Sequence, residues 1–290
     1  MSKLTKFPYL AVLRPKQWTK NLLVFASLIF SIKIVTLSMF LNCIAGFILF
    51  CLVSGCVYVL NDYIDQEVDR NHPDKCHRPI ASGRLKPNRA LLFGCFLLVG
   101  SLGVAFVLDM RFSLLLLGYF IINVAYSMRL KHVVIVDIMV IAIGFVLRAI
   151  GGGLVIAIDF TPWFLICTML LALFLAISKR RHELYLLSVN KGEHRRVLEQ
   201  YSTELLNQLN SIVTTAAIMS YSLFTFTSGH TIHLMWTIPL VMYGIFRYLY
   251  LIHMEGKGGK PEEVLLEDSH ILATVMLFAV MIVVILYYFE

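Results

Sequence analysis

Asn61, Asp62, Asp65 and Asp69 fall within nine residues, NDYIDQEVD, directly behind the apolar run CIAGFILFCLVSGCVYVL. If that run is a helix continuing to about Arg70, a turn of 100° per residue places Asp62, Asp65 and Asp69 within about 60° of one another. Asn61, Asp65 and Asp69 step by four and form a slanted row on the same side. Carboxylates this close repel unless a cation sits among them. They are also poorly placed at the negative end of a helix dipole. Hard oxygen donors in this number suit Mg2+, which keeps some waters and completes its shell with phosphate oxygens. A metal–diphosphate site therefore explains the pattern better than a solvated acidic helix end. Asn61, Asp62, Asp65 and Asp69 are the expected metal ligands, and Asp62, Asp65 and Asp69 the expected catalytic carboxylates.

Basic residues supply the complementary half. Arg70, Lys75 and Arg78 follow the acidic stretch, Lys20 and Asn21 sit in RPKQWTKN, and Lys131 precedes Asp137. A further block, SKRRHEL, holds Lys179, Arg180, Arg181 and Glu183. Arginine forks and lysine point charges are the usual partners of phosphate oxygens. Arg148 lies eleven residues beyond Asp137, which returns it to within about 20° of the same helix face. An arginine inside an apolar segment normally faces a cavity or a partner, here an anionic lipid head or a buried carboxylate. All of these are candidate substrate-binding residues.

The elements that carry them are apolar helices. Of 290 residues, 59% are hydrophobic and only 15% charged, with a mean hydropathy of +0.78. About 20 apolar residues cross a bilayer as helix. Nine spans are expected, near 20–37, 38–60, 90–108, 112–128, 134–157, 161–178, 208–228, 232–252 and 270–289, with Lys33 interrupting the first. The fold class is all-α, one polytopic transmembrane domain over residues 1–290. Its N-terminal arm and its loops near 61–89, 129–133, 179–207 and 253–269 carry the long polar insertions. The arm has basic residues but no apolar core, so no cleavable signal peptide is expected. These segments, with Arg247 near the end of the eighth span, hold 22 of the 25 Lys and Arg, so the positive-inside rule places them in the cytoplasm. The C-terminus then falls on the opposite side. The net charge of +7 follows from topology and calls for no nucleic-acid partner. Five of the six cysteines lie in or beside the spans and none forms a CxxC pair, which reads as apolar packing. His72, Cys76 and His77 cluster in one loop, but their spacing matches no zinc pattern.

NDYIDQEVD resembles the first aspartate-rich motif, NDxxDxxxD, of the UbiA superfamily of intramembrane prenyltransferases. The likeness covers nearly the whole chain. It is narrower toward the decaprenyl-phosphate phosphoribosyltransferase branch, through LRPKQWTKNLLVFA, NDYIDQEVDRNHPDKCHRPIASG, YSMRLKHVVIVD, GFVLRAIGG, SKRRHEL and RYLYLIHMEGKGGKPEEVLLEDSHIL. Aromatic prenyltransferases of the superfamily carry a second motif of the DxxxD type, whereas here Asp137 is followed four residues later by Ile141. The resemblance implies a UbiA-like bundle in the plasma (inner) membrane and Mg2+ as cofactor. It adds Tyr126 to the substrate-binding set and implies a place in cell-envelope biosynthesis. The implied reaction moves a 5-phosphoribosyl group from phosphoribosyl diphosphate to a polyprenyl phosphate at the cytoplasmic face, releasing diphosphate. The rival readings are transfer of a polyprenyl group from its diphosphate to an aromatic or other acceptor, and a non-enzymatic lipid or ion transporter. Transporters gather polar groups near the membrane midplane, whereas here they gather at one interface. The sequence specifies no oligomeric state.

Overall fold

The computed structural model describes residues 7–30, 35–71, 75–158, 161–189, 196–256, 259, 264 and 267–289. Lys33 and His72, singled out from the sequence, lie outside the described residues, as do Lys257 and Lys260. Among the described residues the regular elements are all helical. They are α1 (Pro8–Val12), α2 (Ala26–Ile29), α3 (Leu37–Ile64), α4 (Gln66–Asn71), α5 (Pro87–Leu108), α6 (Met110–Met128), α7 (Val136–Ile156), α8 (Pro162–Val189), α9 (Thr203–Thr227), α10 (Ile238–Met254) and α11 (Ser269–Phe289). Among the described residues, eight helical stretches are long and apolar enough to cross a membrane.

Local sequence sets the helix starts. Thr36, Asp109 and Ser202 accept hydrogen bonds from the amides of Met39, Phe112 and Leu205, respectively, satisfying donors that a first turn leaves open. Prolines open α5, α8 and α10, where the missing N–H costs nothing. Asp109 is extended, at φ −162°, and alone separates α5 from α6.

Two expectations need correction. The first expected span, 20–37, is not one long helix among the described residues. A 3-10 run over Pro15–Phe25 leads into the four-residue α2. Its polar residues are the reason: Trp18 Nε1 turns back to the Leu13 carbonyl, and Asn21 is buried against α3. The helix after span 2 is also interrupted. Asp65 ends α3 at φ −89°, ψ 9°, and α4 begins at the next residue. The i→i−4 bonds Asp65 N–H to Asn61 O and Asp69 N–H to Asp65 O, both 2.9 Å, carry the chain across the break.

The chain forms two compact units. The first comprises the described parts of residues 1–26, 36–130 and 147–159. Here α3 packs on α5, α6 and the 3-10 run, and Phe50 meets Phe112 and Tyr119 edge-on at 5.8 and 5.6 Å. The C-terminal half of α7 approaches this core through its glycines. A Cβ on Gly152 would lie 2.2 Å from the Val24 carbonyl oxygen, and one on Gly151 would lie 2.5 Å from the Phe50 ring. Gly152→Ala therefore forces backbone apart and should destabilise the fold by about 2–3 kcal/mol, the upper range for overpacking. Gly103→Ala, in open space on α5, should change stability by less than about 1 kcal/mol. Thermal unfolding of both variants in detergent checks the contrast.

The second unit comprises the described parts of residues 27–35, 131–146 and 160–290. Here α8 packs chiefly on α9, and α10 on α11. Its core joins Ile138 and Ala142 of α7 to Phe174 and Ile177 of α8, Leu206 of α9 and Tyr248 of α10. A second cluster gathers Tyr221, Phe224, Leu234 and Ile282.

Candidate active site

The first unit brings the acidic stretch onto two arginines. Asp62 and Asp69 are each 2% exposed. Arg78 Nη1 donates to Asp62 Oδ1 at 3.2 Å and to Asp69 Oδ2 at 2.5 Å. Arg14 Nη2 donates to the same Asp62 Oδ1, while its guanidinium lies 4.7 Å from the centre of the Tyr58 ring, one turn earlier on α3. Arg14 adopts a left-handed φ of 52°, a backbone state that costs a non-glycine residue energy and clusters at functional sites. Two carboxylates expected to repel are thus held by two guanidinium groups. Those groups remain about a quarter exposed, at 25% for Arg14 and 23% for Arg78.

The other expected ligands sit close in sequence but differ in burial. Asn61 and Asp65 are half-buried and Arg70 is exposed. Lys20, Lys75 and Tyr126 are half-buried, on the 3-10 run, on a short turn after α4 and near the end of α6. Asp62 Oδ2 is buried and has no hydrogen-bond partner, a costly state for a carboxylate oxygen unless a cation or donor completes it. Among the described residues, no three His, Cys, Asp or Glu side chains are gathered closely enough to cage an ion. Mg2+ takes one or two carboxylates from a protein and its remaining ligands from phosphates and water. The oxygen donors present fit such an ion, and Asp62 Oδ2 is open to it.

Further along α3 the same unit holds a second polar knot. Arg148, 6% exposed, donates from Nε to Asn21 Oδ1 at 2.7 Å and from Nη2 to the Tyr119 hydroxyl at 2.6 Å. Asn21 Nδ2 in turn reaches Ser54 Oγ and Cys51 Sγ, at 3.4 and 3.3 Å. Asn21 and Arg148, both expected from the sequence, are therefore joined, and the glycines after Arg148 permit the approach.

In the second unit, Asp137 is fully buried and both of its oxygens are taken. Arg180 Nε donates to Oδ2 at 2.6 Å and the Tyr201 hydroxyl donates to Oδ1 at 2.7 Å. Arg180, 1% exposed, also donates to Glu183 Oε2 at 2.6 Å. The Tyr201 oxygen accepts from the Ile135 amide at 2.8 Å, holding that β-branched residue at a left-handed φ of 68°. Burial and the neighbouring Asp137 carboxylate push the Tyr201 phenol well above its ordinary pKa, so it stays protonated and keeps donating. Arg181 Nε donates to Asn207 Oδ1 at 2.8 Å. Lys131 and Lys179 are half-buried.

Sequence reasoning missed three partners. Arg14 lies in a quoted motif, but nothing in its spacing points to Asp62, 48 residues away. Tyr119 and Tyr201 carry no local signal at all, because each becomes polar machinery only through a contact distant in sequence.

These sites lie on a bundle of membrane-crossing helices, so the protein is a multi-pass integral membrane protein. The sequence model of the UbiA prenyltransferase family matches residues 22–266. The chain belongs to that family, and it is a transferase. It is 31% identical over 269 residues to the decaprenyl-phosphate phosphoribosyltransferase of Mycolicibacterium smegmatis, covering 88% of this chain and 85% of that one. The enzyme of the same name from Corynebacterium glutamicum is 32% identical, over 94% of this chain and 85% of the relative. Among solved structures, a UbiA homologue from Archaeoglobus fulgidus bound to DMAPP and Mg2+ superposes with a TM-score of 0.72 at 20% identity, covering 96% of this chain and 100% of that one.

Proposed function

We propose that the protein transfers a 5-phosphoribosyl group from phosphoribosyl diphosphate to a polyprenyl phosphate, in an Mg2+-dependent reaction at the cytoplasmic face of the membrane. The observation that carries this reading is the buried Asp62–Asp69 pair held by Arg14 and Arg78, with Asp62 Oδ2 left open. The names of the relatives about 30% identical to this chain support a polyprenyl phosphate acceptor and a phosphoribosyl group as what is moved.

In this reading Mg2+ would be held by one or two carboxylates of the acidic turn Asn61, Asp62, Asp65 and Asp69, with Asp62 Oδ2 as one donor. When bound, it would neutralise charge on the departing diphosphate. Arg78 holds the two buried carboxylates in place, and Arg14 fixes Asp62 from the other side. Arg70 and Lys75, on the exposed flank of the acidic turn, bind donor phosphate oxygens. The C1–O bond to diphosphate breaks as an oxygen of the lipid phosphate bonds to C1, and diphosphate leaves with the electron pair. Positive charge developing on the ribose is met by that incoming anion. A phosphate monoester is already anionic near neutral pH, so no general base is needed. Lys20, Asn21, Tyr126, Lys131, Arg148, Lys179, Arg180, Arg181 and Glu183 are the remaining candidate substrate contacts, and Asp137 acts on them through Arg180.

Diphosphate release from purified protein with Mg2+ tests the choice of donor. Release with phosphoribosyl diphosphate and polyprenyl phosphate together, and with neither alone, is expected. Release only with an isoprenyl diphosphate and an aromatic acceptor would replace this reading with prenyl transfer.

A further inference from the structure

Helix α9 carries Asn207, Asn210, Ser211, Thr214 and Thr215. The spacing i, i+3, i+4, i+7, i+8 puts all five on one face, along about 12 Å of helix. Such a stripe is out of place on a membrane-crossing helix, where a polar side chain needs a partner. Together with Leu249, Tyr250 and His253 of α10, the stripe lines a cleft of about 500 Å³, many times the volume of one water.

The cleft contains groups the protein itself leaves unsatisfied. Asn210 is 3% exposed, and both its amide nitrogen and its oxygen lack a hydrogen-bond partner; so does the hydroxyl of Thr214, 8% exposed. Leaving a buried donor or acceptor in that state is costly, so the pair is built to be completed by something else. The remaining groups define what that is. Ser211 Oγ donates to the Asn207 carbonyl at 3.0 Å and so keeps acceptor capacity toward the cleft. His253 Nδ1 lies 2.9 Å from the Leu249 carbonyl and must be its donor, which leaves Nε2 as an acceptor in the neutral ring. Asn207 Oδ1 is occupied by Arg181, so Asn207 offers amide hydrogens beside a guanidinium. Among the described residues, no carboxylate lines the cleft. The inventory suits a ligand with an anionic oxygen cluster and hydroxyls that both donate and accept. Ser211, Thr215, Tyr250 and His253 are exposed at its edge. On a membrane-crossing pair of helices the neighbours there are lipids.

We propose that the cleft between α9 and α10 is a binding site for the head of a bilayer phospholipid bearing hydroxyl groups, whose phosphate and hydroxyls complete Asn210 and Thr214. Membrane proteins bind lipid heads in polar or basic pockets between helices, and this cleft is shaped by side chains that the acidic site does not use.

The test uses the full-length protein, delipidated in detergent and titrated with phosphatidylglycerol or with phosphatidylcholine of the same acyl chains. Bound lipid is counted by native mass spectrometry. The wild type is expected to retain one phosphatidylglycerol about tenfold more tightly than phosphatidylcholine, the discrimination of one or two hydrogen bonds. The double variant Asn210→Leu/Thr214→Val should lose that preference. Asn210→Asp changes almost no volume but places a carboxylate beside the lipid phosphate, and it should lose the preference too, so the answer does not hang on whether the double variant folds. Equal retention of the two lipids by the wild type would overturn the proposal, as would a preference surviving in both variants. A dimer that dissociates in these variants with no lipid preference would assign the cleft to a second copy of the chain and overturn it equally.

Discussion

Asp65→Ala is expected to lower turnover about a thousandfold or more while leaving the fold intact. Asp65 ends α3 with its backbone already bonded on both sides, to Asn61 and to Asp69, and alanine keeps both bonds. It is half-buried, unlike Asp62 and Asp69. Its carboxylate lies on the acidic turn where, in the proposed reaction, charge on the leaving diphosphate is compensated. Removing one preorganised electrostatic contact of this kind typically costs 10²–10³ in rate, and loss of the proposed metal would cost more. Asp62→Ala differs in kind: it removes the carboxylate that holds Arg14 and half of Arg78, so activity and stability should fall together. The check is turnover with thermal unfolding measured on the same preparations. An Asp65→Ala enzyme with near-normal turnover would remove the acidic turn from the chemistry.

The second large effect is on stability. Asp137→Ala should destabilise the protein by about 3–5 kcal/mol, because Arg180 would then be a buried cation that has lost a fully buried carboxylate partner. The Tyr201 hydroxyl would lose its acceptor, and with it the support of the left-handed Ile135. Replacing both charges by apolar residues of similar size, Asp137→Leu with Arg180→Met, should recover most of that loss, as removing a whole buried pair often does. The measurement is thermal unfolding in detergent for the single and double variants. If Asp137→Ala melts like the wild type, the buried network is not what holds this end of α7 to α8.

Much of this arrangement was legible in the sequence, for identifiable reasons. Long apolar runs specify membrane helices because lipid offers no alternative partner for the backbone, and eight of the nine expected spans have helical counterparts close to the expected bounds. Span 6 was expected to stop near residue 178, but α8 runs on to Val189. A hydropathy pattern cannot foresee that Arg180 will be buried between Asp137 and Glu183. The first span misled for the opposite reason: its apolar content is high, but Trp18 and Asn21 turn inward and a 3-10 run results. The acidic turn was legible from spacing alone. The requirement for a cation among its carboxylates was legible too. That two arginines, Arg14 and Arg78, meet it was not, because Arg14 reaches Asp62 only through tertiary packing. Asp137 was expected to contact substrate, and its oxygens are both occupied by the protein; a buried carboxylate and a site carboxylate look the same in one dimension.

The central claim is most directly tested by following the ribose. Phosphoribosyl diphosphate labelled in its ribose is incubated with the purified protein, Mg2+ and a polyprenyl phosphate, and the organic phase is analysed by mass spectrometry. The account predicts a lipid product heavier than the acceptor by one phosphoribosyl group, carrying the label, released with one equivalent of diphosphate and missing when Asp65→Ala replaces the wild type. Label that stays in the aqueous phase with an active, folded preparation would contradict it, as would a labelled lipid formed equally well by Asp65→Ala.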